Sequence, residues 1–152
     1  MTITVQGIEE LSTLPGRDLG HTDWMAITQD RVDIFADATD DHQWIHVDPV
    51  RAKDGPFGGT IAHGYLTLSL LIPLFGELLE IAGVRMSVNY GLEKVRFPNP
   101  VRVGDKIRSA GKVASVEPVP GDGVQMSLDF TVEIDGAAKP ACVARAVYRH
   151  YA

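Results

Sequence analysis

The most apolar stretch of the chain is Ile61–Ala82, with the sequence IAHGYLTLSLLIPLFGELLEIA. Its apolar side chains fall around nearly the whole circumference of a helix, so we expect a helix that is buried on most sides. Pro73 is expected to bend this helix. A membrane-spanning segment usually needs about 20 mostly uncharged residues, and His63, Glu77 and Glu80 interrupt this one. The stretch therefore predicts the central helix of a protein core and not a transmembrane segment.

The period of the apolar residues changes from helical to two after Gly83. Apolar residues alternate with polar ones from Val124 to Ile134, which indicates an antiparallel strand with one face in solvent. Asp135-Gly136 is a hairpin signal, and Ala141–Tyr151 is the predicted return strand. Lys106–Val116 forms a further predicted strand.

A strand with a bulge is predicted over Val84–Phe97. Apolar residues occupy even positions in its first half and odd positions in its second half. Because side chains alternate between the two faces of a sheet, the register must shift between Gly91 and Lys94.

Two shorter helices are predicted before the apolar one. Thr28 is a good N-cap for a helix that continues to Ala38. Asp48-Pro49 has the order of an N-cap and a first-turn proline, and this helix is expected to end near Lys53. Residues 39–46 follow neither period and indicate an ordered loop.

Length and composition are those of an ordinary globular chain. There are 152 residues, of which 45% are hydrophobic and 22% charged. About 70% of the unfolded surface can be buried in one core at this length. We therefore predict a single α+β domain over residues 1–152, in which an antiparallel sheet wraps around one long apolar helix.

Charge and cysteine content restrict the partners and the compartment. The formal net charge is −6, which argues against nucleic acid or an anionic membrane as the main partner. The one cysteine, Cys142, lies in a predicted strand, where we expect an inert core residue. The first 20 residues lack the pattern of a signal peptide. We expect a protein of the reducing cytoplasm.

A carboxylate and an imidazole lie five residues apart in the predicted loop. They are Asp41 and His46, with His42 and Gln43 between them. These side-chain types are the ones that most often move a proton near neutral pH. The structural alternative is that Asp41 caps a turn and His46 packs against Trp44. The residues alone leave both interpretations open.

The sequence supports a metal site and several other kinds of active site less than it supports a proton-transfer pair. His42, His46 and Asp48 offer three ligands from one segment, but no cysteine pair and no second ligand cluster accompanies them. We therefore expect no metal. The short motifs of serine hydrolases, P-loop enzymes and Rossmann oxidoreductases are also absent from the sequence.

A glycine-rich turn, Gly58–Tyr65, leads into the apolar helix. The free N–H groups of a first helical turn can stabilise an oxyanion, and Gly64 would let a ligand approach the backbone closely. The structural alternative is a simple turn in which His63 is half-buried.

Three segments occur in an informative order. They are Phe35-Ala36-x-x-x-Asp40-Asp41-His42-Gln43-Trp44-Ile45-His46-Val47-Asp48, then Ile61-Ala62-His63-Gly64, then Val95-Arg96-Phe97-Pro98-Asn99-Pro100-Val101-Arg102-Val103-Gly104-Asp105. This order resembles the MaoC-like dehydratases, also called R-specific enoyl-CoA hydratases. Their motifs read roughly G-D-x-N-P-[LIV]-H-x-[DE], then [IVA]-H-G, then RF-x-x-P-V-x-x-G-D. The resemblance covers about Thr28 to Asp105.

The chain departs from the family motif at three positions. Asp40 stands where glycine is usual, Gln43 replaces asparagine and Trp44 replaces proline. A subgroup that includes proteins similar to nodulation protein N has a loop of the H-Q-W-I-H type, so the resemblance is to that subgroup.

The resemblance implies a fold, an assembly and a reaction. The fold is the hot-dog fold, and the assembly is a homodimer. The reaction is reversible hydration of a trans-2-enoyl thioester to a 3-hydroxyacyl thioester, expected to be the R isomer, without a metal or redox cofactor. Asp41 and His46 match the catalytic pair, and Gly64 matches the glycine whose N–H polarises the thioester carbonyl. We also expect substrate contacts from Gln43 and His63.

The acyl carrier and two alternative functions stay open. The carrier is either coenzyme A or acyl carrier protein. Coenzyme A phosphates need local cations on an acidic chain, and Lys94 and Arg96, with Arg102, are candidates unless they form a solvated strand face. The alternatives are a non-catalytic acyl-thioester-binding or dimerisation module and, with less support, a hot-dog thioesterase.

Overall fold

An antiparallel sheet packs on the apolar helical segment in the computed structural model, which describes residues 1–152. The elements in chain order are β1 (Ile3–Gln6), α1 (Gly7–Leu11), β2 (Asp18–His21), β3 (Met25–Ala26), α2 (Gln29–Thr39), α3 (Trp44–Val47), α4 (Pro49–Lys53), α5 (Gly64–Ser69), α6 (Leu71–Leu78), β4 (Leu79–Ala82), β5 (Met86–Arg96), β6 (Lys106–Val119), β7 (Gly123–Ile134) and β8 (Cys142–Tyr151). The main sheet has the order β2-β6-β7-β8-β5, and β3 also pairs with β6. This α+β arrangement is the hot-dog fold that the sequence predicted.

The inward face of β7 forms the centre of the core. Its apolar residues, at even positions from Val124 to Ile134, are all buried, as the alternation predicted. They belong with Leu66 of α5 and the leucines of α6 to one cluster of 27 buried residues. Burying one large apolar side chain contributes about 1.5–3 kcal/mol, so this face holds the sheet against the helices.

The apolar segment is shorter as a helix than predicted, and it is broken. α5 and α6 are separated at Leu70, because Pro73 lacks an N–H and its ring would meet the carbonyl of Ser69 in a continuous helix. The helix ends at Leu78, and Leu79–Ala82 pairs in parallel with β1 as β4. A short apolar run fits a buried strand as well as a helix. The helical period therefore placed the predicted end of the helix at Ala82, four residues beyond its observed end. No helix in the structure is both long enough and apolar enough to cross a membrane.

The predicted irregularity of β5 is confirmed. Pairing between β5 and β8 shifts register between Asn89 and Gly91 and again between Leu92 and Lys94. The connection from β7 to β8 is longer than the tight hairpin that Asp135-Gly136 indicated, since β8 begins only at Cys142.

Both predicted helix starts are confirmed. The side chain of Thr28 accepts a hydrogen bond from the N–H of Arg31 at 3.2 Å. Asp48 accepts one from the N–H of Arg51 at 3.1 Å. Residues 39–46, predicted as loop, include the start of the one-turn helix α3, which is too short for residue periodicity to reveal.

β8 carries three buried titratable side chains, of which Cys142 and His150 bear on the chemistry of the chain. Burial raises the pKa of the Cys142 thiol to about 11, so this residue is an inert core thiol, as expected. His150 is 2% exposed, with Nδ1 2.8 Å from Ser87 Oγ and a buried Nε2 that has no partner. Burial lowers the pKa of His150 to about 4, so its ring is neutral at pH 7.

His150 is expected to make the protein less stable in acid. An unfolded histidine titrates near pH 6.5, so protons favour the unfolded chain between pH 6.5 and about 4. The free energy of unfolding is expected to fall by about 3 kcal/mol across that window through this group alone. His150→Asn, whose amide can still bond Ser87, should remove that part of the pH slope. Urea unfolding of both proteins from pH 7 to pH 4 measures the difference, and parallel curves would contradict it.

Candidate active site

The chain enters the predicted catalytic loop through a left-handed residue. Asp40 ends α2 with φ 58° and ψ 21°. Glycine adopts this region freely, and aspartate is among the few other residues that visit it. The family motif has glycine here, so the substitution to aspartate keeps the backbone conformation that the glycine permits.

Two imidazole rings are stacked at the centre of the site. The ring centroids of His46 and His63 are 3.9 Å apart and the ring planes differ by 23°. The two residues are 6% and 3% exposed. The ring of Phe35, from α2, packs against His63 with a centroid distance of 4.9 Å. Three rings from three parts of the chain therefore form one layered cluster.

Backbone carbonyls fix the orientation of both imidazoles. Nδ1 of His46 lies 2.7 Å from the carbonyl oxygen of Ile61, and Nε2 of His63 lies 2.9 Å from that of Asp41. A carbonyl oxygen only accepts, so these two nitrogens carry the hydrogens. In a neutral ring the lone pair is then on Nε2 of His46 and on Nδ1 of His63, and the latter is buried without a partner.

The surroundings of His46 favour its neutral form. Burial lowers the pKa of His46 below its ordinary value. The nearby His63 acts in the same direction, whereas the bond to Ile61 and the charge of Asp41 oppose it. At pH 7 the ring therefore presents an unprotonated Nε2, which can accept a proton.

Polar atoms of three side chains lie close together at the site. Asp41, His46 and His63 each place one nitrogen or oxygen within 4.8 Å of the others. Two atoms within that distance can both bond one water, since the midpoint region lies within hydrogen-bond distance of each, so Asp41 and His46 can share a water. A metal ion needs lone pairs that converge at about 2.0–2.1 Å, and the in-plane lone pairs of two stacked rings lie in separate, nearly parallel planes. The geometry favours a water over a metal.

The metal ligands considered from the sequence are not brought together. His42 is exposed and its Nε2 lies 2.9 Å from Asp37. Asp48 is the N-cap of α4. Only His46 of that set is in the cluster, so a metal site formed by His42, His46 and Asp48 has no support in the geometry.

Gly64 and His46 line the same cleft. Gly64 begins α5, and no hydrogen bond in the structure uses its N–H. A Cβ on Gly64 would lie 3.3 Å from the ring of Phe97. The cleft has a volume of about 280 Å³ and is also lined by Phe57, Thr67 and Val101. An unpaired N–H and an imidazole acceptor therefore face one small, mostly apolar space.

Other residues singled out from the sequence lie outside this cleft. Gln43 is the exposed N-cap of α3, and its carbonyl accepts from the N–H of His46 at 2.9 Å. Lys94 lies in a separate cleft beside Asp129 and Arg145. The guanidinium of Arg96 donates to the carbonyl of Val95 at 2.7 Å. Substrate contacts from these residues stay predictions.

Thr60–Ala62 tie the loop of His46 to the segment that connects β5 and β6. The N–H of Ile61 donates to the carbonyl of Ile45 at 2.9 Å, and the N–H of Ala62 donates to that of Val101 at 2.7 Å. Gln29 adds a second tie, since its amide donates to the carbonyl of His46 at 2.8 Å and accepts from the hydroxyl of Thr60 at 2.6 Å. Sequence analysis missed Gln29 and the Ile61 carbonyl, because bonds to backbone carbonyls leave no pattern of side-chain types.

Trp44 occupies the position at which the family motif has proline. The guanidinium of Arg51 lies over its ring at 4.2 Å, and a Cβ on Gly55 would come within 3.0 Å of the ring. The indole therefore packs the first turn of α3 against α4 and the turn that follows it. This packing restrains the segment that carries His46.

Comparisons with known proteins show the family and the fold. A family model described as MaoC like domain matches residues 10–133. The 3-hydroxyacyl-thioester dehydratase Z of Mycobacterium tuberculosis is 49% identical over 149 residues, which is 98% of this chain and 99% of that protein. Nodulation protein N of Rhizobium leguminosarum bv. viciae is 43% identical over 131 residues, 85% of this chain and 81% of that one. The solved (R)-hydratase from A. caviae involved in PHA biosynthesis has a TM-score of 0.69 at 24% identity, covering 88% of this chain and 94% of that chain.

The fold, the family match and the named relatives define a hot-dog enzyme of the hydro-lyase class, which adds or removes water. The matched residues include the whole loop from Asp40 to Asp48 and the start of α5. The chain belongs to the MaoC-like dehydratase family.

The left-handed conformation of Asp40 makes a prediction for stability. Asp40→Ala is expected to be less stable than Asp40→Gly by about 1 kcal/mol, because a Cβ is strained at positive φ. At Asp33, inside α2, the alanine variant should be more stable than the glycine variant, since glycine is the poorer residue in a helix interior. Thermal unfolding of the four variants checks both rankings. Alanine at least as stable as glycine at position 40 would contradict the assignment.

Proposed function

We propose that this protein catalyses the reversible hydration of trans-2-enoyl thioesters to (R)-3-hydroxyacyl thioesters. Two observations carry the proposal: polar atoms of Asp41 and His46 lie within 4.8 Å of each other, and His46 lines one cleft with Gly64, whose N–H is free. The names of the dehydratase and hydratase relatives support the same reaction class. We place this activity in the cytoplasm, with the whole chain, residues 1–152, acting as one domain.

In the hydration direction, Asp41 and His46 hold one water between them. The water oxygen forms a bond to C3 of the enoyl group while one member of the pair removes its proton, and a proton is delivered to C2. Negative charge that develops on the thioester oxygen is stabilised by the Gly64 N–H. One such donor is typically worth about 2.7–4 kcal/mol. These groups suffice for the reaction without a metal or redox cofactor.

The substrate carrier in this proposal is coenzyme A or acyl carrier protein. Gln43, Lys94 and Arg96 are exposed near the ends of the elements that carry the site, and we retain them as candidate contacts for the carrier. His63 is assigned a different role below, because it is buried and does not line the cleft.

We also propose that the protein works as a homodimer joined through β5. This strand is at the edge of the main sheet, so one row of its N–H and C=O groups is unpaired. Its apolar residues Met86, Val88, Tyr90 and Leu92 are 39% to 57% exposed. Ile72, on the helix face beside this strand, is 47% exposed. A second copy of the same strand would cover both the unpaired edge and the apolar surface.

Val88→Lys tests the dimer. A charge on the exposed apolar row of β5 is expected to shift the protein toward monomer at micromolar concentration, because a lysine ammonium is strongly hydrated and resists burial. Ile34→Lys is the matched control, since Ile34 is 66% exposed on α2 and should leave the assembly unchanged. Light scattering after gel filtration gives the mass of each. A wild-type monomer, or a Val88→Lys protein that stays dimeric, would count against assembly through β5.

Asp41→Asn and His46→Ala test the reaction. Each is expected to lower the kcat for crotonyl-CoA hydration by about 10²–10⁴, the usual contribution of a general acid or base. The loss of conjugated-enoyl ultraviolet absorbance measures the rate. His42→Gln is the matched control, because His42 is an exposed neighbour outside the cleft and should keep wild-type turnover.

The outcomes separate the proposed enzyme from its alternatives. Normal turnover by a folded Asp41→Asn protein would remove Asp41 from the mechanism. Release of free thiol from crotonyl-CoA would show a thioesterase. Tight binding of enoyl-CoA by the wild type without turnover would favour a non-catalytic binding module.

A further inference from the structure

His63 touches both proposed catalytic residues without facing the cleft. It is 3% exposed and does not belong to the residues that line the space around His46 and Gly64. Its Nε2 bonds the backbone of Asp41, and its ring covers one face of His46. His63 is therefore placed to control the position of both residues.

We propose that His63 is a positioning residue that fixes Asp41 through its Nε2–H and His46 through its ring face. The inference rests on the proposed function, since it assigns His63 a role relative to that catalytic pair. It also replaces the sequence-based expectation that His63 contacts substrate.

The tie to Asp41 is needed because little else holds that residue. Asp41 follows the left-handed Asp40 and is exposed, outside any helix or strand. The bond from His63 is the only hydrogen bond in the structure that involves Asp41. It joins residues 22 positions apart, so it fixes the loop relative to the start of α5. A displacement of about 1 Å in a reacting group can lower a rate about 10²-fold.

The ring contact completes the restraint on His46. The bond from Nδ1 to the Ile61 carbonyl fixes one direction in the imidazole plane, but the ring can still tilt about that direction. A second ring at 3.9 Å and 23° restricts the tilt. Phe35 packs against His63, so α2 supports the stack. The direction of the His46 Nε2 lone pair is thereby set by packing.

Histidine is suited to this position because it combines a planar ring with an N–H donor. Glutamine keeps an amide donor at the same reach and lacks the ring. Phenylalanine keeps the ring and lacks the donor. Alanine lacks both. The two proposed contributions can therefore be separated by substitution at one residue.

The variants His63→Gln and His63→Phe are each expected to lower the kcat for crotonyl-CoA about tenfold, and His63→Ala about 100-fold. The KM should change less than threefold, because His63 does not line the cleft. His42→Gln, a change at an exposed histidine, should leave both constants unchanged. Equal kcat in wild type, His63→Gln and His63→Phe would overturn the proposal, and so would losses confined to KM.

A spectroscopic measurement gives a readout that a merely structural role would not move. Nitrogen-15 NMR of labelled histidine rings is expected to find the Nε2–H form for His63 and the Nδ1–H form for His46 in the wild type. In His63→Phe the titration midpoint of His46 should rise, because the nearby His63 lowers the pKa of His46 and phenylalanine carries no titratable group. An unchanged midpoint would overturn the electrostatic coupling of the two rings.

The NMR arm also keeps the two proposals distinguishable. A wild type that does not hydrate crotonyl-CoA contradicts the proposed function. The tautomers of the two rings and the titration of His46 still test the contacts of His63 in that case. If the His63 variants do not fold, an Nδ1–H form of His63 in the wild type overturns the proposal, because that form cannot donate from Nε2 to the Asp41 carbonyl.

Discussion

The extended residues Thr60–Ala62 are the constraint on which the rest of the site depends. They bond to the loop of His46 on one side and to Val101 on the other, and they run directly into α5. The Ile61 carbonyl in the middle of this stretch accepts from the His46 ring. One short piece of backbone therefore sets the distance between the loop, the sheet and the first turn of the central helix. Because the bonds are short and buried, the loop cannot shift without breaking several of them together.

The two kinds of buried imidazole in this molecule show how surroundings decide the role of a side chain. His150 is enclosed by the sheet, far in sequence from the loop, and one of its nitrogens has no partner. His46 is nearly as buried, but the bond from its ring to the Ile61 carbonyl and its stacked neighbour orient the ring, which lies beside a cleft. Burial lowers the pKa of both rings. The difference is access, since only the ring beside an open space can exchange a proton with a ligand.

Much of this structure could be predicted from residue types and from the period of the apolar residues. The remainder depends on tertiary contacts that leave no pattern in the sequence. The alternation along β7, the caps at Thr28 and Asp48 and the shift in β5 all reflect local rules. The break at Leu70 was predicted only in part, because Pro73 indicated a bend in the helix but not its division into two helices. Gln29 acts on a carbonyl 17 positions away, and the stacking of His63 depends on how the chain returns to the loop. Neither contact has a characteristic spacing in the sequence. Residue types thus identified the neighbourhood of the site, and tertiary packing determined which atoms meet.

The left-handed Asp40 bears on how such chains are recognised. The family motif is usually written as letters, and at this position the letter is glycine. What the loop requires is a pair of backbone angles, which glycine and aspartate can both provide. Trp44 makes a similar point, because packing by Arg51 and Gly55 restrains a segment that a proline ring would restrain covalently. A search pattern that scored allowed torsion angles and local rigidity, in place of residue letters, would group these loops together and would separate them from chains that share the letters without the shape.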